Sequence, residues 1–421
     1  MTQGQIGKYA IVKLLGKGAT GTVYQAVDSF SGNEVALKVI DPEVFRDPEF
    51  GNVYRAQFLT EASFAGKLKH PHIVAILDAV VQEDSGHIAM ELVAGGELSQ
   101  HTNTQTLLRI ADVLQIGFKC CGALNYAFHE GIVHRDIKPA NIMIVQGTDV
   151  KISDFGAALL KKTQATHAAV MGSPFYMSPE QIEEGPLTHH SDMYCLGVVL
   201  YELMTGRRPF VADSLPELAR KILSEPPEPP SSLRADLPKP IDAVVLRALG
   251  KKPEHRYETW AEFELALSNV CKFFTVRDAI PDSEKFVALK GVDLFAELSA
   301  GELWELAKAG TWARIPRGEC IIEENQMGKS FYFLGDGQVK VTRGGRLLNV
   351  IGKRECFGEM AYIRGGATPR QATVETITDV LLAQFEPEGI ARISLGTQLA
   401  LMRALVRNLV DRLEFANTRL A

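Results

Sequence analysis

A glycine-rich stretch, Gly16-Lys17-Gly18-Ala19-Thr20-Gly21-Thr22-Val23, stands near the start of the chain. A dinucleotide-binding loop of that spacing leads into a helix, whereas TVYQAV alternates like a strand. No Lys-Ser/Thr pair follows the last glycine, so it is not a Walker loop either. A glycine loop between antiparallel strands suits a flexible flap over phosphates; taken alone, it is equally a plain β-turn. Next comes Val35-Ala36-Leu37-Lys38. A lysine inside an apolar strand requires a partner, because an unpaired buried ammonium is costly. A carboxylate together with a phosphate would supply one, and Glu61, in the helical text that follows, is the candidate carboxylate. The bland alternative is a lysine that faces outward.

The most specific text lies further on. His134-Arg135-Asp136-Ile137-Lys138-Pro139-Ala140-Asn141 is followed by Asp154-Phe155-Gly156 at the end of a strand, VKIS, and then by Ser178-Pro179-Glu180. These motifs, in this order, match the catalytic loop, metal-binding triplet and activation-segment end of protein kinases. Residues 9–273 thus resemble the eukaryotic-type Ser/Thr protein kinases, and GSPFYMSPEQ is most similar to the bacterial members. No key position is missing. The resemblance implies ATP and Mg²⁺ as cofactors and a protein as substrate. Phosphoryl transfer then depends on aligning the reactants and neutralising the moving charge. Asp136 would orient or accept the substrate hydroxyl proton. Asn141 and Asp154 would offer oxygen ligands to Mg²⁺, a hard cation. Lys38, held by Glu61, would grip the α- and β-phosphates, and Lys138 would steady the γ-phosphate. Lysine at that place also marks Ser/Thr specificity. Gly16, Gly18 and Gly21 would form the flap. Leu15, Val23, Ala36 and Met143 would sandwich the adenine, with Met90 as gatekeeper and Glu91 to Val93 as hinge. Asp192 and Arg256, the latter paired with Glu180, would be scaffolding. In the activation loop, Thr163 or Thr166 is the expected autophosphorylation site, the alternative being ordinary polar loop residues; Ser173 reads as structural.

A second set of residues lies in the last third: Phe357-Gly358-Glu359-Met360-Ala361, then Pro369-Arg370-Gln371-Ala372-Thr373-Val374. A glycine turn with free amides, one carboxylate and one arginine suits a phosphate and a sugar hydroxyl. The stretch from about Leu294 to Phe415 resembles cyclic-nucleotide-binding domains, such as those of cyclic-AMP-dependent kinase regulatory subunits and the catabolite activator protein. Gly318 and Gly337 fall at strand turns of that family. By this resemblance Arg370 binds the cyclic phosphate and Glu359 the ribose 2′-hydroxyl, while Gly358, Met360, Ala361, Gln371, Ala372 and Thr373 line the cassette. The segment between Glu359 and Arg370 is longer than usual, and Gln371 replaces the common Ala or Thr. Cyclic AMP is favoured over cyclic GMP. A related fold that has lost its ligand and serves contacts only is the alternative.

The elements needed to hold these residues are legible in the pattern. The chain has 421 residues, more than one ordinary core, at about 150 residues per domain. Residues 9–40 read as strands broken by glycine turns, 55–69 as an amphipathic helix, and HIVAILDAVV and HIAMELV as further strands. From Leu107 a long helix runs until Gly131 stops it. The proline-rich stretch 225–240 reads as a surface loop rather than a linker, because helical text follows it. Short strands and glycine turns return beyond 285, and a helix closes the chain from about Gly396 to Asn417. The expected class is α+β: a bilobal kinase fold over 9–273, a linker over 274–284, and a β-barrel (jelly-roll) domain with a C-terminal helix over 285–421. Apolar residues Leu395, Leu399, Met402, Val406, Leu409 and Leu413 recur at heptad spacing. They describe either a lid on the barrel or the seam of a homodimer.

Composition narrows the functional classes. A net charge of -6 argues against nucleic acid as partner. No apolar run reaches the roughly 20 residues of a membrane span, and no signal peptide is visible, so the cytoplasm is the expected location. The six cysteines form neither a CxxC nor a Cys/His cluster, so neither a zinc site nor a disulfide framework is indicated. The rival to a conditional kinase is a non-catalytic signalling scaffold that binds nucleotides as conformational ligands.

Overall fold

A computed structural model describes the chain apart from residues 1–3, 18–20, 48–50, 65, 83–84, 156–173, 275–279, 367–368 and 421. The chain divides into two units, Met1–Phe274 and Thr275–Ala421. Among the described residues, no helix is long and apolar enough to cross a membrane.

The first unit opens with strands β1 (Gln5–Ile6), β2 (Tyr9–Lys17), β3 (Gly21–Asp28), β4 (Glu34–Ile40), β5 (Ile76–Val81) and β6 (Gly86–Glu91). They form an antiparallel sheet in the order β1-β2-β3-β4-β6-β5. Alternation along β4 sends Val35 and Leu37 into one core with Tyr9, Ala26 and Ala89. Ile40 joins a second core with Phe45, Phe58, Val74, Ile88 and Met90. Phe58 comes from the Gly51–Ser63 helix, so burying it clamps that helix to the sheet.

Two element bounds differ from the sequence reading. The helix expected over 55–69 runs Gly51–Ser63 instead, and the chain after it turns at Gly66, whose φ of +70° no helix interior accepts. The strand read in HIVAILDAVV pairs only from Ile76. Before it, the chain leaves the sheet: the Val74 amide donates to the carbonyl of Ile152 at 2.9 Å.

The rest of this unit is helical. The Ile110–His129 helix is buried along most of its length, and Gly131 (φ +77°) follows it. It packs with the His189–Thr205 helix, capped by Thr188 and by Gly206 in the left-handed region, and with the Trp260–Cys271 helix. The hairpin β7 (Ile142–Gln146) and β8 (Asp149–Ile152) lies beside them. The proline-rich stretch belongs to this unit. It makes one short turn of helix, Pro230–Leu233, and buries Pro230 and Leu237.

In the second unit, helices Asp282–Lys290 and Ala300–Ala309 precede eight strands. These are β9 (Thr311–Ile315), β10 (Cys320–Ile322), β11 (Phe331–Asp336), β12 (Val339–Arg343), β13 (Arg346–Ile351), β14 (Glu355–Phe357), β15 (Thr373–Thr376) and β16 (Val380–Phe385). They make two four-stranded antiparallel sheets, β10-β15-β12-β13 and β14-β11-β16-β9. Their inner faces enclose Ile322, Tyr332, Leu334, Val339, Ile351, Phe357, Val374, Val380 and Leu382. Gly337 (φ +87°) turns the chain where a Cβ would lie 2.4 Å from the Asp379 carbonyl oxygen. The α+β class of the sequence reading is the observed one.

The last helix spans Leu395–Leu420. It packs on its own unit through Leu401, Ala404 and Leu405. The heptad residues Leu395, Leu399, Met402, Val406 and Leu413 are 38–82% exposed, and Val410 is exposed with them. The lid is therefore formed by a different face from the one that the heptad spacing singled out.

Candidate functional site

Strand β4 points Ala36 and Lys38 to the face opposite Val35 and Leu37. Its register sets Lys38 beside Val23 and Ile88. The Lys38 Nζ donates to both oxygens of Glu61, at 2.9 and 3.2 Å, and to Asp154 Oδ1 at 2.7 Å. Burial disfavours the ammonium, but the charges of Asp154 and Glu61 outweigh it and hold the Lys38 pKa above the ordinary lysine range. The Lys38 charge, in turn, holds Asp154 below the usual carboxylate range. The buried-lysine problem posed by the sequence is thus solved by two carboxylates.

The loop 134–141 is braced from below. Asp192, on the buried His189–Thr205 helix, accepts from the amides of His134 at 2.8 Å and Arg135 at 2.7 Å. Burial raises its pKa, with His134 and those amides opposing. His134 Nε2 lies 2.9 Å from the Ser153 carbonyl oxygen, which ties this loop to the strand carrying Asp154. Arg135 (φ +70°) and Asp154 (φ +60°) both adopt left-handed backbone, a conformation costing roughly 1–3 kcal/mol each for non-glycine residues. Two such residues on neighbouring elements mark a place where position outranks local comfort.

Within the loop, Asp136 Oδ2 accepts from Lys138 Nζ at 2.7 Å and from Asn141 Nδ2 at 3.0 Å. Asn141 Nδ2 also donates to the Asp136 carbonyl at 2.8 Å. These bonds orient the Asn141 amide and leave its oxygen as the remaining ligating atom. That oxygen and the second carboxylate oxygen of Asp154 are hard donors of the type that could serve Mg²⁺. Arg256 grips Glu180 with two bonds, of 2.7 and 2.9 Å, and both are buried.

Ala36, Met90, Val93 and Met143 meet in one cluster. Leu15 is exposed on β2, and Val23 is half-buried opposite Gly16. Gly21 opens β3, where a Cβ would stand 2.2 Å from the Val39 carbonyl oxygen. Glu91 ends β6, with its amide donating to the Ala75 carbonyl at 2.9 Å. Gly18, Gly156, Thr163, Thr166 and Ser173 lie outside the described residues.

In the second unit, Gly358 (φ +79°) precedes the short Glu359–Ile363 helix, and a Cβ on it would lie 2.9 Å from Arg370 Nη1. Glu359 and Ala361 are buried, Met360 and Gln371 are exposed, and Ala372 and Thr373 are half-buried. The Thr373 hydroxyl accepts from the Glu324 amide at 3.0 Å. Arg370 is 8% exposed. Its guanidinium donates to the carbonyls of Ser330 (2.7 Å) and Gly358 (3.2 Å) and lies 5.9 Å from the Tyr332 ring centre. Among the described residues no carboxylate pairs with it. Burial accordingly pulls its pKa below the ordinary arginine range, with Tyr332 opposing.

The sequence reading missed Ser330 and Tyr332, which present no motif. It also missed Lys151, whose signal was visible: like Lys38, it interrupts an apolar strand.

Comparison with known proteins agrees with this geometry. Residues 9–263 match the family "Protein kinase domain", and residues 312–394 match "Cyclic nucleotide-binding domain". Over 270 residues the chain is 40% identical to the serine/threonine-protein kinase PknB of Mycobacterium leprae, covering 62% of this chain and 43% of that protein. It is 39% identical over 262 residues to the serine/threonine-protein kinase PrkC of Bacillus subtilis, covering 61% of this chain and 40% of that protein. A probable serine/threonine-protein kinase of Clostridium acetobutylicum is 37% identical over 265 residues, covering 62% and 40%. The chain therefore spans less than half the length of these relatives. It belongs to the protein kinase domain family, and its second unit carries a cyclic nucleotide-binding domain.

Proposed function

We propose that this chain is an ATP-dependent serine/threonine protein kinase whose rate is set by a cyclic nucleotide, cyclic AMP before cyclic GMP, bound in its second unit. The names of its relatives and the Lys38–Glu61–Asp154 grouping support the catalytic half. In this reading Asp136 orients the acceptor hydroxyl and takes its proton, while Lys138 steadies the transferred group. Lys38 holds the α- and β-phosphates. Mg²⁺, held by Asn141 and Asp154, would neutralise charge on the β- and γ-phosphates. Leu15, Val23, Ala36, Met90, Glu91, Val93 and Met143 enclose the adenine. Ser or Thr is the acceptor in this reading, which the names of the relatives and the resemblance at Lys138 support.

The observation that carries the regulatory half is Arg370, a buried guanidinium with no carboxylate partner among the described residues. A cyclic phosphate would supply the missing anion, and Glu359, which follows the Gly358 that Arg370 bonds, suits a ribose hydroxyl. A ligand changes activity only by binding one state of the protein more tightly than another. The exposed heptad residues of the last helix support a homodimer through that helix. ATP as substrate, together with six free thiols, supports a cytoplasmic setting.

The test is a kinase assay on the full chain with cyclic AMP, cyclic GMP or neither, alongside Arg370→Ala. A change of rate with cyclic AMP that disappears in the variant supports the reading. Identical rates at saturating ligand, with binding shown separately, would refute regulation.

A further inference from the structure

Behind the residues assigned to adenine lies a second charged pair that the catalytic reading does not use. Lys151 sits on β8, three residues before Asp154 in the sequence VKISD. Its side chain is 16% exposed, and its Nζ meets Glu91 Oε2 at 2.8 Å. Glu91 is the last residue of β6, where the chain leaves the sheet as the hinge. Between the two runs the segment from His72 to Ala75, bonded on both sides. The Ile152 amide donates to the His72 carbonyl, and the Val74 amide donates to the Ile152 carbonyl, each at 2.9 Å. His72 Nδ1 lies 2.9 Å from the Val150 carbonyl oxygen. On the other side the Glu91 amide donates to Ala75, and the Ala75 amide reaches Glu91 Oε2 at 3.4 Å. Backbone bonds therefore join β8, residues 72–75 and the end of β6 into one layer. The Lys151–Glu91 ion pair is the side-chain clasp across it.

A clasp between these two points has a consequence for the nucleotide. One end fixes the strand that delivers Asp154, and the other fixes the backbone to be met by the adenine edge. Lysine rather than a neutral residue fits here, because Glu91 is only partly exposed and its carboxylate otherwise meets a single, long amide contact. His70 also feels this ammonium. Its buried imidazole stacks on Tyr126 of the Ile110–His129 helix, 5.3 Å between ring centres, and burial, then Lys151, pushes its pKa down to about 3.

We infer that Lys151 is a positioning residue for the nucleotide: through Glu91 it sets the hinge at a fixed distance from Asp154 without touching ATP itself. The inference rests on the proposed ATP site, since it assigns the hinge to adenine.

The test uses the whole 421-residue chain with Lys151→Met, Lys151→Arg, Lys151→Glu, Glu91→Lys and the reversed pair Glu91→Lys/Lys151→Glu. ADP affinity is measured by calorimetry, and KM for ATP and kcat by a coupled assay. Lys151→Met should weaken ADP and raise KM about tenfold while kcat stays within about twofold, the size of a typical coupling between adjacent charges. Lys151→Arg should stay near wild type, and the reversed pair should recover most of the loss seen in either single variant. A Lys151→Met protein with unchanged ADP affinity would overturn the inference. So would a reversed pair no better than its parents, or a fall in kcat matching the rise in KM. If the wild type itself bound no ADP, the proposed ATP site would fail, and this inference with it.

Discussion

Replacing Arg370 by alanine tests the second unit most directly. The guanidinium donates to two backbone carbonyls and has no carboxylate partner among the described residues. Its removal takes away two hydrogen bonds and one buried charge, effects of opposite sign, so the unit should remain folded. With a cyclic phosphate bound, the same group would supply two charge-assisted bonds of about 1.5–3 kcal/mol each. The loss on binding is then about 3–6 kcal/mol, or roughly a hundredfold to ten-thousandfold in Kd. Calorimetric titration with cyclic AMP reads this directly. Thermal unfolding provides an independent check. At ligand one hundred times above the wild-type Kd the wild type gains about 2.7 kcal/mol of stability, and the variant should gain no more than about 0.4 kcal/mol. Affinity within tenfold of wild type in a folded Arg370→Ala protein would refute the assignment of Arg370 to the phosphate.

Three further outcomes are expected. Asp136→Asn should lower phosphoryl transfer by roughly 10²–10⁴-fold, the usual contribution of a positioned base, with ADP binding retained; unchanged phosphate incorporation would exclude Asp136 as that base. His70, with a folded pKa of about 3 set by burial and then by Lys151, leaves the unfolded chain to take up a proton alone as pH falls below the ordinary histidine value of 6.5. Its contribution is therefore complete above that pH and lost on acidification. Between pH 6.5 and 5 stability should fall by about 2 kcal/mol from this residue, and denaturant curves of His70→Asn should lack that share. Finally, Leu399→Glu with Val406→Glu should leave the fold intact while halving the mass seen in sedimentation; an unchanged mass would show that the exposed heptad face is not the dimer seam.

Much of the catalytic centre could be read from the chain because its parts are local. Residues 134–141 lie in one loop, and Asp154 follows just beyond a hairpin, so short-range order in the text becomes short-range order in space. The cassette around Gly358 and Arg370 was legible for a similar reason, although its carbonyl partner Ser330 was not. Ser330 comes from the start of another strand and is recognisable only by where its backbone arrives. Helix bounds were less accessible: the end at Ser63 rather than residue 69 depends on a turn at Gly66 and on residues 72–75 leaving the sheet for β8.

The sequence by itself determined that Lys38 needed a counter-charge, that Asp136, Asn141 and Asp154 could serve one reaction, and that a glycine, a glutamate and an arginine recurred together near the C-terminus. Residue type and spacing are enough for that, because each statement concerns the chemistry of a side chain or a few neighbours. Tertiary structure decided which carboxylates reach Lys38, that Arg370 is buried without one among the described residues, and that Lys151 spans to Glu91. It also decided which stripe of the last helix is covered: Leu401, Ala404 and Leu405 are buried, while the heptad residues other than the half-buried Leu409 stay open. Burial and pairing depend on elements distant in the chain, and a periodic pattern shows that a face is apolar without showing what covers it.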